Sequence, residues 1–294
     1  MTAPQAARVN AQAKINLGLR VLAKESGGWH QIETVFARLA LADPIEVRVT
    51  DGPRRLDVKG ADAGPLAENL ALRAALAYIQ ATGWPPGFRI TLEKRIPIGA
   101  GLGGGSADAG AVLRALDALA PHPLGEEALL KLSAPLGADV PFLTSSAVLA
   151  LAWGRGERLL RLAPLPERSV ALVQPGFTVK TADAYRWLDA ARGDRVSDPS
   201  LTGAERFASW EALGPLTAND FEAVVAAHHA GVPGVVDALL DAGASIARMT
   251  GSGSTVYGIF ALPPDAAKLA ARVPGSVLVT KSASAVEQVE LVRA

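Results

Sequence analysis

The sequence predicts an α+β fold in two domains, with helices laid on one face of a mainly antiparallel sheet. Three observations carry this prediction. The chain has 294 residues, about twice the length of an ordinary domain. Stretches of period-2 alternation recur from Val9 onward, closely enough spaced to pair as hairpins. Segments with apolar residues at helical spacing stand between them, and no fixed period marks a repeat array.

The first element is the clearest. From Val9 to Val21 the odd positions are apolar, whereas Asn10, Gln12, Lys14, Asn16 and Arg20 occupy the even ones. This is a half-buried strand, and Lys14 and Asn16 share its polar face. Alternation resumes at 34–41 and again at 45–50, predicting two further strands. Leu72, Leu76 and Ile79 predict a helix after Asn69 that stops at Gly83. Phe88, Ile90 and Leu92 form a strand that leads into a glycine-rich loop, and a helix over about 106–119 follows it. Short apolar strands are predicted at 148–153 and 170–174. Prolines around 163–168 break the pattern and place a boundary, dividing the chain into 1–163 and 164–294. Beyond it the sequence reads as a helix at 181–191, a polar loop at 193–204 and helices at 219–229 and 233–242. Two strands around 249–260, a helix at 264–272 and a strand at 277–280 complete it.

Composition excludes several classes of function. The chain is 49% hydrophobic, and its 29 basic side chains equal its 29 acidic ones, which rules out a disordered, highly charged polymer. A neutral surface also argues against a nucleic-acid partner. The longest clean apolar run, near 147–153, is far short of a membrane span, so no membrane partner is expected. The first ten residues lack a signal-peptide core, and a cytoplasmic location is expected. Cysteine is absent, so disulfides, thiolate metal sites and cysteine nucleophiles are excluded. The four histidines, His30, His122, His228 and His229, form no metal-binding frame, and the last three read as surface or helix-end residues.

The segment Pro97, Ile98, Gly99, Ala100, Gly101, Leu102, Gly103, Gly104, Gly105, Ser106, Ala107 is the strongest local signal. Its glycines strip the loop of side chains and let backbone N–H groups approach a ligand. It opens into a helix, whose first N–H groups are unpaired and whose dipole favours phosphate. A Walker A loop is excluded because no Gly-Lys pair occurs, and the protein-kinase HRD and DFG motifs are absent. Gly99, Gly101 and Gly104 match a dinucleotide fingerprint in spacing only. The strand before them, with Arg89, Thr91, Glu93, Lys94 and Arg95, is too polar for a buried parallel strand, and no strand follows the helix.

The same loop resembles the phosphate-binding motif of the GHMP kinases, and its GLGGGS form is similar to one branch of that family. AKINLGLRVL at 13–22, GWHQIETVF at 28–36, ENLALRA at 68–74, GADVPF at 137–142, NDFE at 219–222 and MTGSGSTVYGIF at 249–260 resemble other segments of the branch, in order, across nearly the whole chain. The chain departs from the pattern where Gly27-Gly28-Trp29-His30 replaces the usual Asp-Gly-Tyr-His, and at Gln12 and Phe221. The resemblance implies a ribosomal-S5-like N-terminal domain, a ferredoxin-like C-terminal domain and a site in the cleft between them. It implies ATP-dependent phosphorylation of the 2-hydroxyl of a cytidine-diphosphate-linked polyol in non-mevalonate isoprenoid synthesis, with Mg²⁺ as the partner of ATP. The alternatives are a mevalonate- or homoserine-type small-molecule kinase, or a non-enzymatic binding module.

By resemblance Asp139 is the base that takes the acceptor proton, and Lys14 keeps it ionised and offsets phosphoryl charge. From the residues alone, Lys14 equally reads as a lysine lying along a strand surface, and Asp139 as a turn or cap aspartate with extended backbone. The resemblance assigns Asn69 to adenine and residues 97–107 to ATP, and it assigns Asn16, Trp29, His30 and Thr181 to the substrate. Gly251, Ser252 and Gly253 are a supporting glycine loop. Asn69 and Thr181 also read as helix N-caps, Ser106 as a cap or phosphate ligand, and residues 251–254 as a hairpin turn. Asp108 reads as a first-turn acid facing the helix dipole. Trp29 reads as a lid over the core or as a plate stacked on cytosine, with His30 bonding the base edge.

Overall fold

A computed structural model describes residues 5–61, 64–193, 195 and 203–292. Strands β1 (Ala6–Lys24) and β2 (His30–Thr50) form one long antiparallel hairpin at the centre of the first sheet. The two strands predicted at 34–41 and 45–50 are a single bent strand, because the register slips where Gln12 gives way to Lys14 and the chain bends rather than breaks. β3 (Arg55–Gly60), α1 (Leu70–Thr82), β4 (Gly87–Lys94) and α2 (Gly104–Leu119) follow. Next come α3 (Glu126–Ser133), α4 (Val140–Thr144), β5 (Leu149–Gly154) and β6 (Arg158–Leu162).

The second half contains β7 (Ser169–Gln174), α5 (Thr181–Arg192), α6 (Trp210–Leu213), α7 (Asp220–His228), α8 (Gly231–Asp241), β8 (Ile246–Met249), β9 (Val256–Phe260), α9 (Ala266–Ala270), β10 (Ser276–Lys281) and β11 (Glu290–Val292). Most of the polar loop expected at 193–204 lies outside the described residues.

The first sheet runs β11-β1-β2-β4-β3, with β5 paired to β2 and β6 to β5. All these pairs are antiparallel except β3 with β4. The second sheet runs β10-β7-β9-β8, which in chain order is fourth, first, third, second, the ferredoxin-like arrangement. The alternation of β7 explains how the halves join. Ala171 and Val173 face a core shared with Ala184, Leu188, Val225 and Leu239 from α5, α7 and α8. Val170 and Leu172 face the other way, into the core built on the first sheet. β7 is thus apolar on both faces, which is why it reads as a continuous run.

β3, β6 and β11 are short, at six, five and three residues, and lie mostly outside the core, so they give too little alternation to announce themselves as strands. β11 returns the end of the chain to β1 in the first sheet. Among the described residues, no helix is long and apolar enough to cross a membrane.

Candidate active site

The middle of the polar face of β1 does not meet water. Gln12, Lys14 and Asn16 are all buried, because the glycine loop and the second half of the chain cover that face. The Lys14 N–H donates to Leu102 O at 3.0 Å, the Leu19 N–H to Ala218 O at 2.7 Å and the Val21 N–H to Asp220 Oδ2 at 2.7 Å. Lys14 and Asn16 fall between two register shifts of the β1–β2 ladder, at Gln12/Lys14 and Asn16/Gly18. Such irregularities re-aim side chains beside functional sites.

Lys14 Nζ donates to Asn16 Oδ1 at 2.7 Å and lies 3.1 Å from Asp139 Oδ2. It also sits 5.5 Å from the centre of the Phe36 ring. Asn16 Nδ2 donates to Thr34 Oγ1 at 2.8 Å, so with Lys14 on Oδ1 the side-chain amide is fixed at both ends, and the Asn16 backbone N–H donates to Thr250 Oγ1 at 3.0 Å. A buried ammonium needs such partners, and Lys14 is therefore no surface lysine.

Asp139 departs from the extended backbone expected of it. Its φ of −84° and ψ of −18° are helical, and it occupies the N-cap position of α4. The residue before Pro141 is Val140, and Pro141 is accepted because it stands in the first helical turn. Asp139 makes no side-chain cap bond, which leaves its carboxylate to Lys14. The far end of α4 is held by Arg38, whose buried guanidinium donates to Phe142 O and Ser145 O at 2.8 Å each. Burial brings the Arg38 pKa down to about 9. Basic groups at helix C-termini are favourable, and this one anchors the short helix that carries Asp139.

The glycine loop and the start of α2 form one wall of a cavity of about 310 Å³, also lined by Asn69, Pro97 and Ile98. Gly103, with φ +69°, is the N-cap of α2. A Cβ there would lie 2.9 Å from Lys14 Cε, so the position demands glycine for both conformation and space. The first intrahelical bond runs from Ala107 N–H to Gly103 O at 2.8 Å. The N–H groups of Gly104, Gly105 and Ser106 precede it and remain available to an anion. Ser106 does not cap the helix, since Gly103 holds that place, and Ala107 is buried beneath the cavity rather than lining it. Asn69 fills both of its expected roles. It caps α1, with Oδ1 accepting from the Ala71 N–H at 2.9 Å, and it lines the cavity.

A second cavity of about 220 Å³ adjoins the first and is lined by Lys14, Asn16, Asp139, Thr181, Gly251 and Ser252. Gly101, Gly103 and Ser106 line both cavities. The loop at 251–253 is more than a hairpin turn. Asn219 Nδ2 donates to Met249 O and Gly251 O at 2.8 Å each, and Gly253 N–H closes on Thr250 O, outside the cavity. Thr181 is the first residue of α5 rather than its cap, and its hydroxyl lies 2.9 Å from Ser252 Oγ.

The cytidine-side residues are arranged differently from expectation. The His30 ring is not free to meet a base edge with both nitrogens. Its Nε2 lies 2.7 Å from Asp189 Oδ1, and the ring stacks on Tyr185 at 4.5 Å. Burial raises Asp189 but the hydrogen bonds from Lys24 and His30 outweigh it, leaving its pKa below the usual carboxylate value. Trp29 is not a lid over the core. It is 58% exposed and lines a neighbouring cavity of about 800 Å³ that shares Ile32 and Ala138 with the Lys14–Asp139 cavity.

Tyr185 and Asp189 were not singled out from the sequence, yet Tyr185 lines the second cavity and burial pushes its phenol up to about 12. Their signal is the spacing Thr181, Tyr185, Asp189, which places all three on one face of α5.

A second missed group lies under the glycine loop. Asp108 is not in the first turn of α2, which begins at Gly104. It is buried, and Lys94 Nζ bridges its Oδ2, at 2.7 Å, to Asp43. Asp43 Oδ1 accepts the N–H groups of Arg95 and Ile96, fixing the entry to the loop.

This combination of fold, phosphate cradle and lysine–aspartate pair defines a small-molecule kinase, and sequence comparison agrees. The description GHMP kinases N terminal domain matches residues 69–154, and GHMP kinases C terminal matches residues 200–278. The chain belongs to the GHMP kinase family, in its branch of 4-diphosphocytidyl-2-C-methyl-D-erythritol kinases. It is 41% identical over 268 residues to the 4-diphosphocytidyl-2-C-methyl-D-erythritol kinase of Solibacter usitatus, covering 88% of this chain and 83% of that one. The enzyme of that name from Pelotomaculum thermopropionicum is 39% identical over 277 residues, covering 92% and 96%. A crystal structure of 4-(cytidine 5'-diphospho)-2C-methyl-D-erythritol kinase superposes with a TM-score of 0.76 at 37% identity, covering 93% of this chain and 98% of that chain. Homoserine kinase from Cytophaga hutchinsonii shares the fold, with a TM-score of 0.70 at 18% identity and 99% coverage of both chains.

Proposed function

We propose that the protein transfers the γ-phosphoryl group of ATP to the 2-hydroxyl of 4-diphosphocytidyl-2-C-methyl-D-erythritol, with Asp139 as general base. The observation that carries the assignment is the shared wall. The phosphate cradle and the acceptor cavity meet at Gly101, Gly103 and Ser106, and the Lys14–Asp139 pair stands on the acceptor side of it. ATP lies in the first cavity with adenine at Asn69 and its phosphates along residues 97–106. The N–H groups at the start of α2 hold the phosphates, so the γ-phosphoryl group reaches the shared wall.

An alcohol is a weak nucleophile, and Asp139 accepts its proton as the new O–P bond forms and the bond to the β-phosphate oxygen breaks. Lys14 pairs with the carboxylate at 3.1 Å and offsets the charge spread over the transferring group. Asn16 and Thr34 prevent the ammonium from turning away. Thr181 and the loop at Gly251 and Ser252 close the acceptor side, and Trp29 stacks on the cytosine ring, with His30 setting the position of Tyr185.

Mg²⁺ would be held chiefly by the ATP phosphates. Among the described residues no group of three His, Cys, Asp or Glu side chains is placed to cage a cation. Ser106 and Asp139 are among the oxygen donors that line the acceptor cavity and would complete the shell of an ion held chiefly by nucleotide. When bound, it offsets phosphate charge.

The test is ADP release measured with 4-diphosphocytidyl-2-C-methyl-D-erythritol, mevalonate, homoserine and galactose as competing acceptors. Turnover confined to the cytidyl substrate is expected. Turnover with another of the four at comparable kcat/KM would transfer the enzyme to a different acceptor class.

A further inference from the structure

The turn between β5 and β6 touches both the hairpin that carries Trp29 and the backbone that carries Asp139. Trp29 stands at the tip of the β1–β2 hairpin, in a tight turn closed by Glu25 N–H to Trp29 O at 2.7 Å and Gly28 N–H to Glu25 O at 2.9 Å. Its neighbours Gly27 and Gly28 have no side chains to pack against it. The ring is instead covered from outside the hairpin. The Arg155 guanidinium lies 5.0 Å from the ring centre, within range of a cation–π contact.

The Arg155 side chain is aimed by Glu25, and its backbone is held by Glu157. Its Nε and Nη2 both donate to Glu25 Oε2, at 3.2 and 2.5 Å, and its N–H donates to Glu157 Oε2 at 2.7 Å. The next residue, Gly156, has φ +116°, and a Cβ there would stand 2.8 Å from Ala138 O. The turn therefore rests directly on the peptide that precedes Asp139.

We infer that Arg155 is a positioning residue for the nucleobase end of the substrate, holding the Trp29 ring at a fixed distance from the Lys14–Asp139 pair. This rests on the reading of Trp29 as the cytosine platform. The Gly27-Gly28 stretch gives the hairpin tip no side chain of its own to hold the Trp29 ring. The Glu25–Arg155–Trp29 stack ties it to the β5–β6 turn, and the turn ties it to Ala138. The stack makes the distance between the base platform and the proton acceptor a property of the fold rather than of a mobile loop. A platform set in advance lowers the ordering cost when the substrate binds, so the effect falls on substrate KM rather than on the chemical step.

The experiment is a set of Michaelis curves for each substrate with wild type, Arg155→Ala, Arg155→Lys, Trp29→Ala and the Arg155→Ala/Trp29→Ala double variant. Stacking is worth about 5- to 150-fold per base on alanine substitution, so Trp29→Ala raises the KM for the cytidyl substrate within that range. Arg155→Ala raises the same KM about 2- to 5-fold, the yield of an exposed cation–π contact, with kcat and the KM for ATP unchanged. Arg155→Lys recovers part of the loss, since it keeps the charge but not the forked bond to Glu25.

Once Trp29 is gone, removing Arg155 has no further effect. An Arg155→Ala effect of equal size in the Trp29→Ala background would mean that Arg155 meets the substrate directly and would overturn the positioning role. An unchanged KM in Arg155→Ala, beside a raised KM in Trp29→Ala, would overturn it while leaving the platform reading standing. An unchanged KM in Trp29→Ala would overturn the platform reading and the role of Arg155 with it.

Discussion

Two lysines flank the glycine loop, each against aspartate, and they are finished differently. Lys14 has a 3% exposed side chain and meets one aspartate, Asp139, whose side chain is 29% exposed and has no other partner among the described residues. Lys94 is equally buried, at 4%, but it is shared by Asp43 and Asp108, exposed 0% and 3%. Asp43 is further tied to two backbone N–H groups at the mouth of the loop. A carboxylate that opens into a cavity retains lone pairs for a substrate proton. A fully buried carboxylate with three of its roughly four acceptor sites taken by a lysine and two amides has no open face to offer a substrate and holds the chain in place. The same residue types thus serve chemistry on one side of the loop and architecture on the other, and the difference lies in how many of the carboxylate's acceptor sites are already occupied.

The sharpest way to break this contrast is at the open pair. Asp139→Asn is expected to lower kcat by roughly 10²–10⁴ with little change in ATP affinity and only a modest loss of thermal stability, because the proton acceptor is lost while the isosteric amide can still accept from the buried Lys14 ammonium. Lys14→Ala lowers kcat comparably, and the double variant falls far short of the product of the two losses if the pair works as a unit. Near-normal turnover in Asp139→Asn would remove it from the role of base. Steady-state kinetics on the three variants, with thermal melts alongside, decide the point.

The closed cluster predicts the opposite profile. Asp43→Ala strips a partner from a buried ammonium and leaves two N–H groups unsatisfied, a loss of about 3–5 kcal/mol. In a chain of this length that is a fall in Tm of roughly 10 °C. The KM for ATP should rise, since Asp43 anchors the entry to the loop, while kcat at saturating ATP stays within a few-fold. A variant of wild-type Tm and crippled kcat would place Asp43 in the chemistry and erase the distinction between the two lysines.

The two clusters also differ in how far the sequence discloses them. Lys14 and Asn16 are legible from parity alone, because a strict alternation assigns them a common face, and the glycine loop is legible because nothing else needs so many missing side chains before a helix. What covers the polar face of β1 is not legible, since the covering residues, such as Ala218 and Thr250, lie far along the chain and carry no local mark. Asp43, Lys94 and Asp108 belong to three elements whose own patterns read as an ordinary strand end, a polar strand and a helix start. Their convergence is a property of the folded sheet. Asp139 is helical rather than extended because a proline two residues on, at the second position of a short helix, favours the helix that a proline one residue on would oppose. Trp29 shows the same limit, for the arginine that covers it stands on a hairpin on the other side of the cavity.

The smallest effect, and the one that separates the two carboxylates within the closed cluster, concerns Asp108. Burial pushes its carboxyl up to about 7, against the pull of Lys94 and with the charge of Asp43 adding to the rise. Its Oδ1 is buried without a hydrogen-bond partner. An unfolded aspartate titrates near 4. Between about pH 4 and pH 7 the folded chain therefore holds a proton at this site that the unfolded chain has released, so the contribution of Asp108 to stability falls as pH rises through that window and is level above it. Asp108→Asn replaces the carboxyl by a neutral amide that still accepts from Lys94, which keeps Asp43 as its counter-ion. The expected outcome is a stability difference between variant and wild type that grows in favour of the variant from pH 5 to pH 8, on the order of 2 kcal/mol. Urea unfolding at the two pH values measures it, and all other titrating groups cancel in the difference. If the difference were the same at both pH values, Asp108 would be ionised throughout and Lys94 would be holding both carboxylates as anions. If wild type gained on the variant with rising pH, the sign would be reversed and Asp108 would be a stabilising ion pair of the ordinary kind.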